Sequence, residues 1–297
     1  MGDTLTITTA LSALQSTRGV NGIVFSKQPD LFKNNPMVRF HIDYSKMRSY
    51  SRSLLKSFGK YMRGPNVICV GTEKWVLGTN PRTNYIVPRG TTWLLDTAPD
   101  LRLHNISDAD KYTPVIEFSS EELSAYRLKF KNFTEEAVGI IKATAGVNRG
   151  NGMGLKNWYI DRWNAVLARI KLPIKFLQIG EADEPLLDHV IDMLGLTIRE
   201  SFYLMSISRL TVCTEGIVSH AAAAFEAPII CILAGDKEDT LRLGYHKTTF
   251  IQADPMPPCS PCFAQTCSTP GKPCTSNITV DQVVNCINET YQKSYGR

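Results

Sequence analysis

Between residues 137 and 233 the chain alternates short apolar bursts with longer mixed stretches, and that rhythm restricts it to few architectures. The bursts are Ala137–Ala143, Ile174–Gly180, Leu210–Cys213 and Ile229–Leu233. Each is a nearly continuous apolar run with no polar alternation, the pattern of a strand covered on both faces in a parallel sheet. The intervening sequence predicts helices over Ile160–Ile170, Glu184–Leu194 and Val218–Phe225, with Ile198–Ser206 as a further connecting segment. Strand and helix in strict succession imply an α/β domain of Rossmann type. A Pro- and Cys-rich excursion covers residues 255–277, and Val280–Gln292 reads as a closing helix.

The first half has a similar but looser rhythm. Residues 5–15 place Leu5, Thr8, Leu11 and Leu14 on one helical face, and Gly22–Ser26 reads as a strand. A turn at Asn34-Asn35-Pro36 precedes a strand over Val38–Asp43, and Asn66–Gly71 is another apolar burst ending in glycine. Thr79–Gly90 is loop-rich and Glu121–Phe133 is polar and helical, which puts the domain boundary near residue 130. Two domains are expected, 1–130 and 131–297, as the length of 297 residues also suggests. No solenoid-length repeat occurs.

Charge separates the halves. Residues 1–106 hold 14 Lys and Arg against 6 Asp and Glu, whereas the whole chain is only +5. Arg48, Arg52, Lys56 and Lys60 recur every four positions and form one stripe on a helix, with Met47, Leu54, Leu55 and Phe58 mostly elsewhere. Such a stripe suits nucleic acid, an anionic glycolipid, a membrane surface, or simply solvent. No apolar run approaches the roughly 18 to 20 residues of a membrane span, and no signal peptide is evident. A cytoplasmic protein, peripheral to a membrane at most, is expected. The sequons at Asn105, Asn132, Asn277 and Asn288 then have no function.

The segment Thr214-Glu-Gly-Ile-Val-Ser-His-Ala-Ala-Ala-Ala-Phe-Glu-Ala-Pro228 lies between two predicted strands. A helix N-terminus there offers unpaired N–H groups to an anion, and Glu215 can accept hydrogen bonds from sugar hydroxyls. Taken alone, His220 before an alanine-rich helix is as compatible with a packing role. Lys156-Asn-Trp-Tyr-Ile-Asp-Arg-Trp163 follows a glycine-rich loop at 146–154. Asp3, in Met1-Gly-Asp-Thr-Leu, reads by itself as a helix N-cap.

Together these segments resemble glycosyltransferase family 9, the heptosyltransferases of lipopolysaccharide synthesis. The resemblance spans both halves and implies a GT-B fold: two Rossmann-like domains with parallel sheets facing a central cleft. It places Glu215, Gly216, Ile217, Val218 and His220 at the nucleotide-sugar donor, although Ile217 stands where the family more often has glycine. Lys156 would offset charge on the departing diphosphate, with Thr144 nearby, and Asp3 would be the general base of an inverting transfer. The family also has a strand before this Asp3 segment, which the sequence does not contain. No metal is implied for catalysis. The basic stripe of Arg48, Arg52, Lys56 and Lys60 would meet an anionic acceptor, lipopolysaccharide core by the resemblance. A phage-type enzyme glycosylating hydroxymethylated bases in DNA would suit the same stripe.

Cys259, Cys262, Cys267 and Cys274 have spacings that suit a structural zinc site or an iron–sulfur cluster, although similar segments occur in the family without a catalytic metal. A non-catalytic, zinc-containing nucleic-acid-binding protein is therefore the rival reading. Cys69, Cys213 and Cys231 fall in buried-strand contexts and Cys286 on the last helix.

Overall fold

Two compact units make up the chain, Met1–Phe118 with Asp239–Tyr245, and Ser119–Glu238 with His246–Arg297. The computed structural model describes residues 5, 8, 11, 12, 15, 22–26, 28–43, 113–144, 156–225, 227–234, 247–260 and 267–296. Asp3, the stripe of Arg48, Arg52, Lys56 and Lys60, the Asn66–Gly71 burst, the loop at 146–154 and Cys262 lie outside the described residues.

In the first unit, Leu5, Thr8, Leu11, Ser12 and Gln15 are helical, with Leu5, Thr8 and Leu11 buried as their spacing predicts. Strands β1 (Gly22–Ser26) and β2 (Val38–Asp43) pair in parallel. Their connection runs through a 3-10 turn at Pro29–Leu31 and a bend in which Asn34 has φ 60°, a conformation Asn tolerates better than most residues. Asn35 holds the bend: its side-chain oxygen accepts from Met37 N–H at 3.0 Å, and its amide donates to Val115 O at 3.3 Å.

The second unit is an all-parallel six-stranded sheet in the order β5-β4-β3-β6-β7-β8. Strands β3 (Val138–Lys142), β4 (Lys175–Gly180), β6 (Leu210–Thr214) and β7 (Ile229–Ile232) occupy its middle, and almost every residue of them is buried. These are the continuous apolar bursts, and their composition follows from cover on both faces. The helices are α1 (Ser120–Lys129), α2 (Lys131–Thr134), α3 (Ile160–Arg169), α4 (Ile198–Ile207), α5 (Ile217–Ala223), α6 (Pro273–Ser276) and α7 (Val280–Tyr295). Helix α1 belongs to this unit, since Arg199 on α4 pairs with Glu122 at 2.9 Å and both side chains are largely buried. Ser119, Thr197 and Thr279 cap α1, α4 and α7, each in a box with a Glu or Gln three residues on.

Two assignments differ from expectation. Residues 184–194 are not helical: turns lead to a short edge strand, β5 (Ile191–Leu194). The 3.6-residue spacing of Leu187, Val190, Ile191 and Leu194 imitates a helix, but His189 at φ 62° and Gly195 at φ 74° bound a turn and a strand instead. The opposite edge strand, β8 (Thr248–Ile251), has only four residues and no apolar burst to announce it.

Helix α3 is built around two tryptophans. Trp158 and Trp163 are almost fully buried and meet edge to face at 5.2 Å. Trp158 Nε1 donates to Ile278 O at 3.3 Å, while Arg162 Nη1 donates to Ser276 O at 2.8 Å and Ile278 O at 2.6 Å. This clasp joins the start of α3 to the turn between α6 and α7 and fixes the segment that carries Lys156.

Candidate active site

From β3 the chain winds to one side through β4 and β5, then crosses back to lay down β6, β7 and β8 on the other. The reversal lies between β3 and β6. Connections leave neighbouring strands in opposite directions there, the topology at whose carboxyl ends open α/β sheets bind ligands in a crevice. Side chains beyond those ends are polar and buried: Thr144 after β3, Thr214 closing β6, then Glu215 and His220.

Glu215 is the centre of the arrangement. Its N–H donates to Ile232 O at 3.1 Å, which locks the backbone to β7, and its side chain is 3% exposed. The Lys156 ammonium forms an ion pair with Glu215 Oε2 and remains 33% exposed. His220 Nε2, on the first turn of α5, lies 3.9 Å from Glu215 Oε1. Residue 156 from one motif and residues 215 and 220 from another are thus brought into one cluster. A buried carboxylate without a cation would be costly, so Lys156 and Glu215 hold one another at the carboxyl end of the sheet.

Gly216 is extended at φ 164°, and among the described residues a Cβ there would meet no atom within 4 Å. Its N–H is received by Ser219 Oγ at 3.4 Å, and Ser219 donates back to Gly216 O at 2.8 Å. Ile217 is partly buried in the first turn of α5, and Val218 is buried. Beneath α5, Cys213 and Cys231 are register partners on β6 and β7. Burial, reinforced by the hydrogen bond that the Cys231 thiol shares with Cys213, pushes the Cys231 thiol well above its ordinary range and leaves it inert.

A second buried pair was missed by sequence reasoning. Lys142, the last residue of β3, forms an ion pair with Glu184 and donates to Thr144 Oγ1 at 3.0 Å. Glu184 Oε1 also accepts from Glu181 N–H at 3.0 Å. The Glu184 carboxylate fits because residue 180 is glycine, where an added Cβ would lie 2.5 Å from Oε2. Thr144 is thereby placed at the switch point, buried and bonded to Lys142. The signal available in the sequence was a lysine ending an otherwise apolar strand. Reading Asp183-Glu184 as a helix start concealed its partner.

The cysteine cluster does not form a metal centre among the described residues. No group of three or more His, Cys, Asp or Glu side chains there is placed to hold an ion. Cys259 lies on a turn, Cys267 in irregular chain and Cys274 in α6; Cys267 Sγ donates to Thr269 O at 3.3 Å and Cys259 Sγ is 4.0 Å from Thr269 Oγ1. The zinc expectation is corrected to that extent. Cys262 lies outside the described residues. No described helix is long and apolar enough to cross a membrane.

No protein-family model matches the sequence, and no curated protein matches it significantly. Solved structures do match. A family 9 glycosyl transferase from Veillonella parvula DSM 2008 superposes with a TM-score of 0.68 at 14% identity, over 99% of this chain and 94% of that one. E. coli ADP-heptose lps heptosyltransferase II gives 0.64 at 14% identity, over 98% and 96%. E. coli heptosyltransferase WaaC, solved with ADP, gives 0.57 at 13% identity, over 97% and 96%. The chain therefore has, along nearly its whole length, the fold of these glycosyltransferases.

Proposed function

We propose that the protein is an inverting glycosyltransferase that takes a sugar from a nucleoside-diphosphate donor and places it on an anionic acceptor of the lipopolysaccharide core, in the cytoplasm. The observation that carries this reading is the Lys156–Glu215–His220 cluster at the switch point of a parallel sheet. Two of the structures sharing the fold are heptosyltransferases, one of them solved with ADP.

In this reaction the acceptor hydroxyl oxygen attacks the anomeric carbon from the face opposite the diphosphate. The bond from that carbon to the phosphate oxygen breaks, and the nucleoside diphosphate leaves with the electron pair. Asp3 takes the acceptor proton in this reading, a role that rests on the resemblance of its segment. Lys156 offsets the charge that develops on the diphosphate, a stabilisation strongest in a partly desolvated site. Glu215 holds that ammonium in place before the donor arrives and offers its second oxygen to a sugar hydroxyl. His220, behind it, fixes the carboxylate's orientation. The stripe of Arg48, Arg52, Lys56 and Lys60 meets acceptor phosphates and carboxylates.

Titration of ADP-, UDP-, GDP- and CMP-sugars into the purified protein tests the donor half. Saturable binding of one is expected, weakened by Lys156→Ala. Turnover on deacylated lipopolysaccharide core tests the mechanism. If both Asp3→Ala and Lys156→Ala left turnover unaltered, the assignment of base and counter-charge would be wrong.

A further inference from the structure

We infer that Lys142 is a second cationic ligand for the anionic group bound at the switch point, held ready by Glu184. The inference rests on the transferase reading for the identity of that group, but its evidence is separate. Lys142 ends β3 and is register partner to Cys213 on β6, the two strands that flank the switch point. Glu215 follows Cys213 by two residues, roughly 7 Å of extended chain. Two lysines, one ending β3 and one on the segment before α3, each tethered by a buried carboxylate, therefore stand at the carboxyl end of the sheet beside the β3–β6 switch point.

An ammonium has three N–H donors. Glu184 Oε1 and Thr144 Oγ1 account for two of those on Lys142, and no described residue accepts the third. The Lys142 side chain is 12% exposed, so the group is neither sealed in nor free in water. A phosphate oxygen arriving there gains a charge-assisted hydrogen bond in a poorly screened setting. Stability alone gives little reason for the arrangement, because a buried ion pair generally does no better than two apolar side chains of similar volume. Glu184 has one orphaned oxygen, Oε2, packed against Gly180, so the pair is imperfectly satisfied even as it stands. The cost is understandable if the pair stores a cation for a ligand.

Calorimetric titration of inorganic pyrophosphate, ADP, UDP and GDP decides the matter, with wild type, Glu184→Gln, Lys142→Met/Glu184→Met and Lys142→Gln/Glu184→Gln compared. Removing both charges leaves no buried ion behind, so the double variants test ligand binding without the penalty of a lone carboxylate. The expected result is nucleotide binding by wild type, weakened roughly tenfold to a hundredfold in whichever double variant retains the wild-type circular dichroism spectrum. Glu184→Gln, which releases the ammonium, should bind pyrophosphate at least as tightly as wild type; a structural role would not produce that. Undiminished nucleotide affinity in the folded double variant would overturn the inference and leave the transferase reading intact. Pyrophosphate binding that depends on Lys142, without binding of any nucleotide, would support the inference and sink the transferase reading. No binding of any probe by wild type would defeat both.

Discussion

The two ends of the six-stranded sheet use the same kinds of side chain under different conditions. At the amino ends of the strands, Lys175 pairs with Glu136 at 2.8 Å with side chains 56% and 41% exposed. At the carboxyl ends, Lys142 pairs with Glu184 at 12% and 0%, and Lys156 with Glu215 at 33% and 3%. Water screens the first pair, which contributes little to stability. In the others the carboxylate is desolvated, and removal of its lysine strands a charge. Buried charge is concentrated at the carboxyl end of the sheet, where packing alone would have been served by apolar residues.

That contrast can be attacked by mutation. The largest expected effect is Lys142→Met alone, which orphans the Glu184 carboxylate and should cost about 3 to 5 kcal/mol of unfolding free energy, read by urea titration. A loss below about 1 kcal/mol would mean that water reaches Glu184 and that the two ends are alike. Arg162→Ala comes next: losing charged donors to the carbonyls of Ser276 and Ile278 should cost about 2 kcal/mol and weaken nucleotide binding through Lys156. Donor binding that stayed unchanged while stability fell would show that the clasp does not position Lys156. At the other end, Lys175→Met should shift stability by less than about 1 kcal/mol and leave nucleotide affinity unaltered in calorimetry. A strong effect there would erase the distinction.

The smallest effect is acid sensitivity at Glu200. Burial pushes its carboxyl up, but Lys129 at 2.5 Å and the Thr197 backbone and hydroxyl outweigh this and leave its pKa lowered. The folded state then binds this proton less readily than the unfolded chain. The associated stability is present above the ordinary carboxylate range and is lost as pH falls through the lowered value. Lys129→Met should make stability less steep with pH on the acid side, as followed by thermal melts; an unchanged slope would remove Glu200 as its source.

The middle of the sheet was legible because burial on both faces forces near-continuous apolar runs, as at Val138–Lys142 and Ile229–Ile232. Edge strands were not, since β5 and β8 are short and partly exposed and leave weak patterns. Helix α4 had a readable start in Thr197-x-x-Glu200, a capping box that apolar periodicity alone does not reveal. Lys156, Glu215 and His220 could be picked out individually because each stands beside a glycine-rich or alanine-rich segment. The resemblance put them at one donor, but the Lys156–Glu215 ion pair could not be read, and neither could the Lys142–Glu184 pair, because a contact between residues 42 apart in sequence depends on which strands become neighbours.

The clasp between α3 and the turn before α7 also sets an order on assembly during synthesis. Lys156 emerges from the ribosome well before the Ser276 and Ile278 carbonyls that receive Arg162, and before the Ile278 carbonyl that receives Trp158. Until translation has passed Ile278, the Arg162 guanidinium and the Trp158 indole N–H have only water in place of the carbonyls that receive them in the fold. The nascent sheet can form its central strands earlier, but its lysine-bearing loop acquires its anchors only late, so competence to hold a ligand should trail the appearance of the fold.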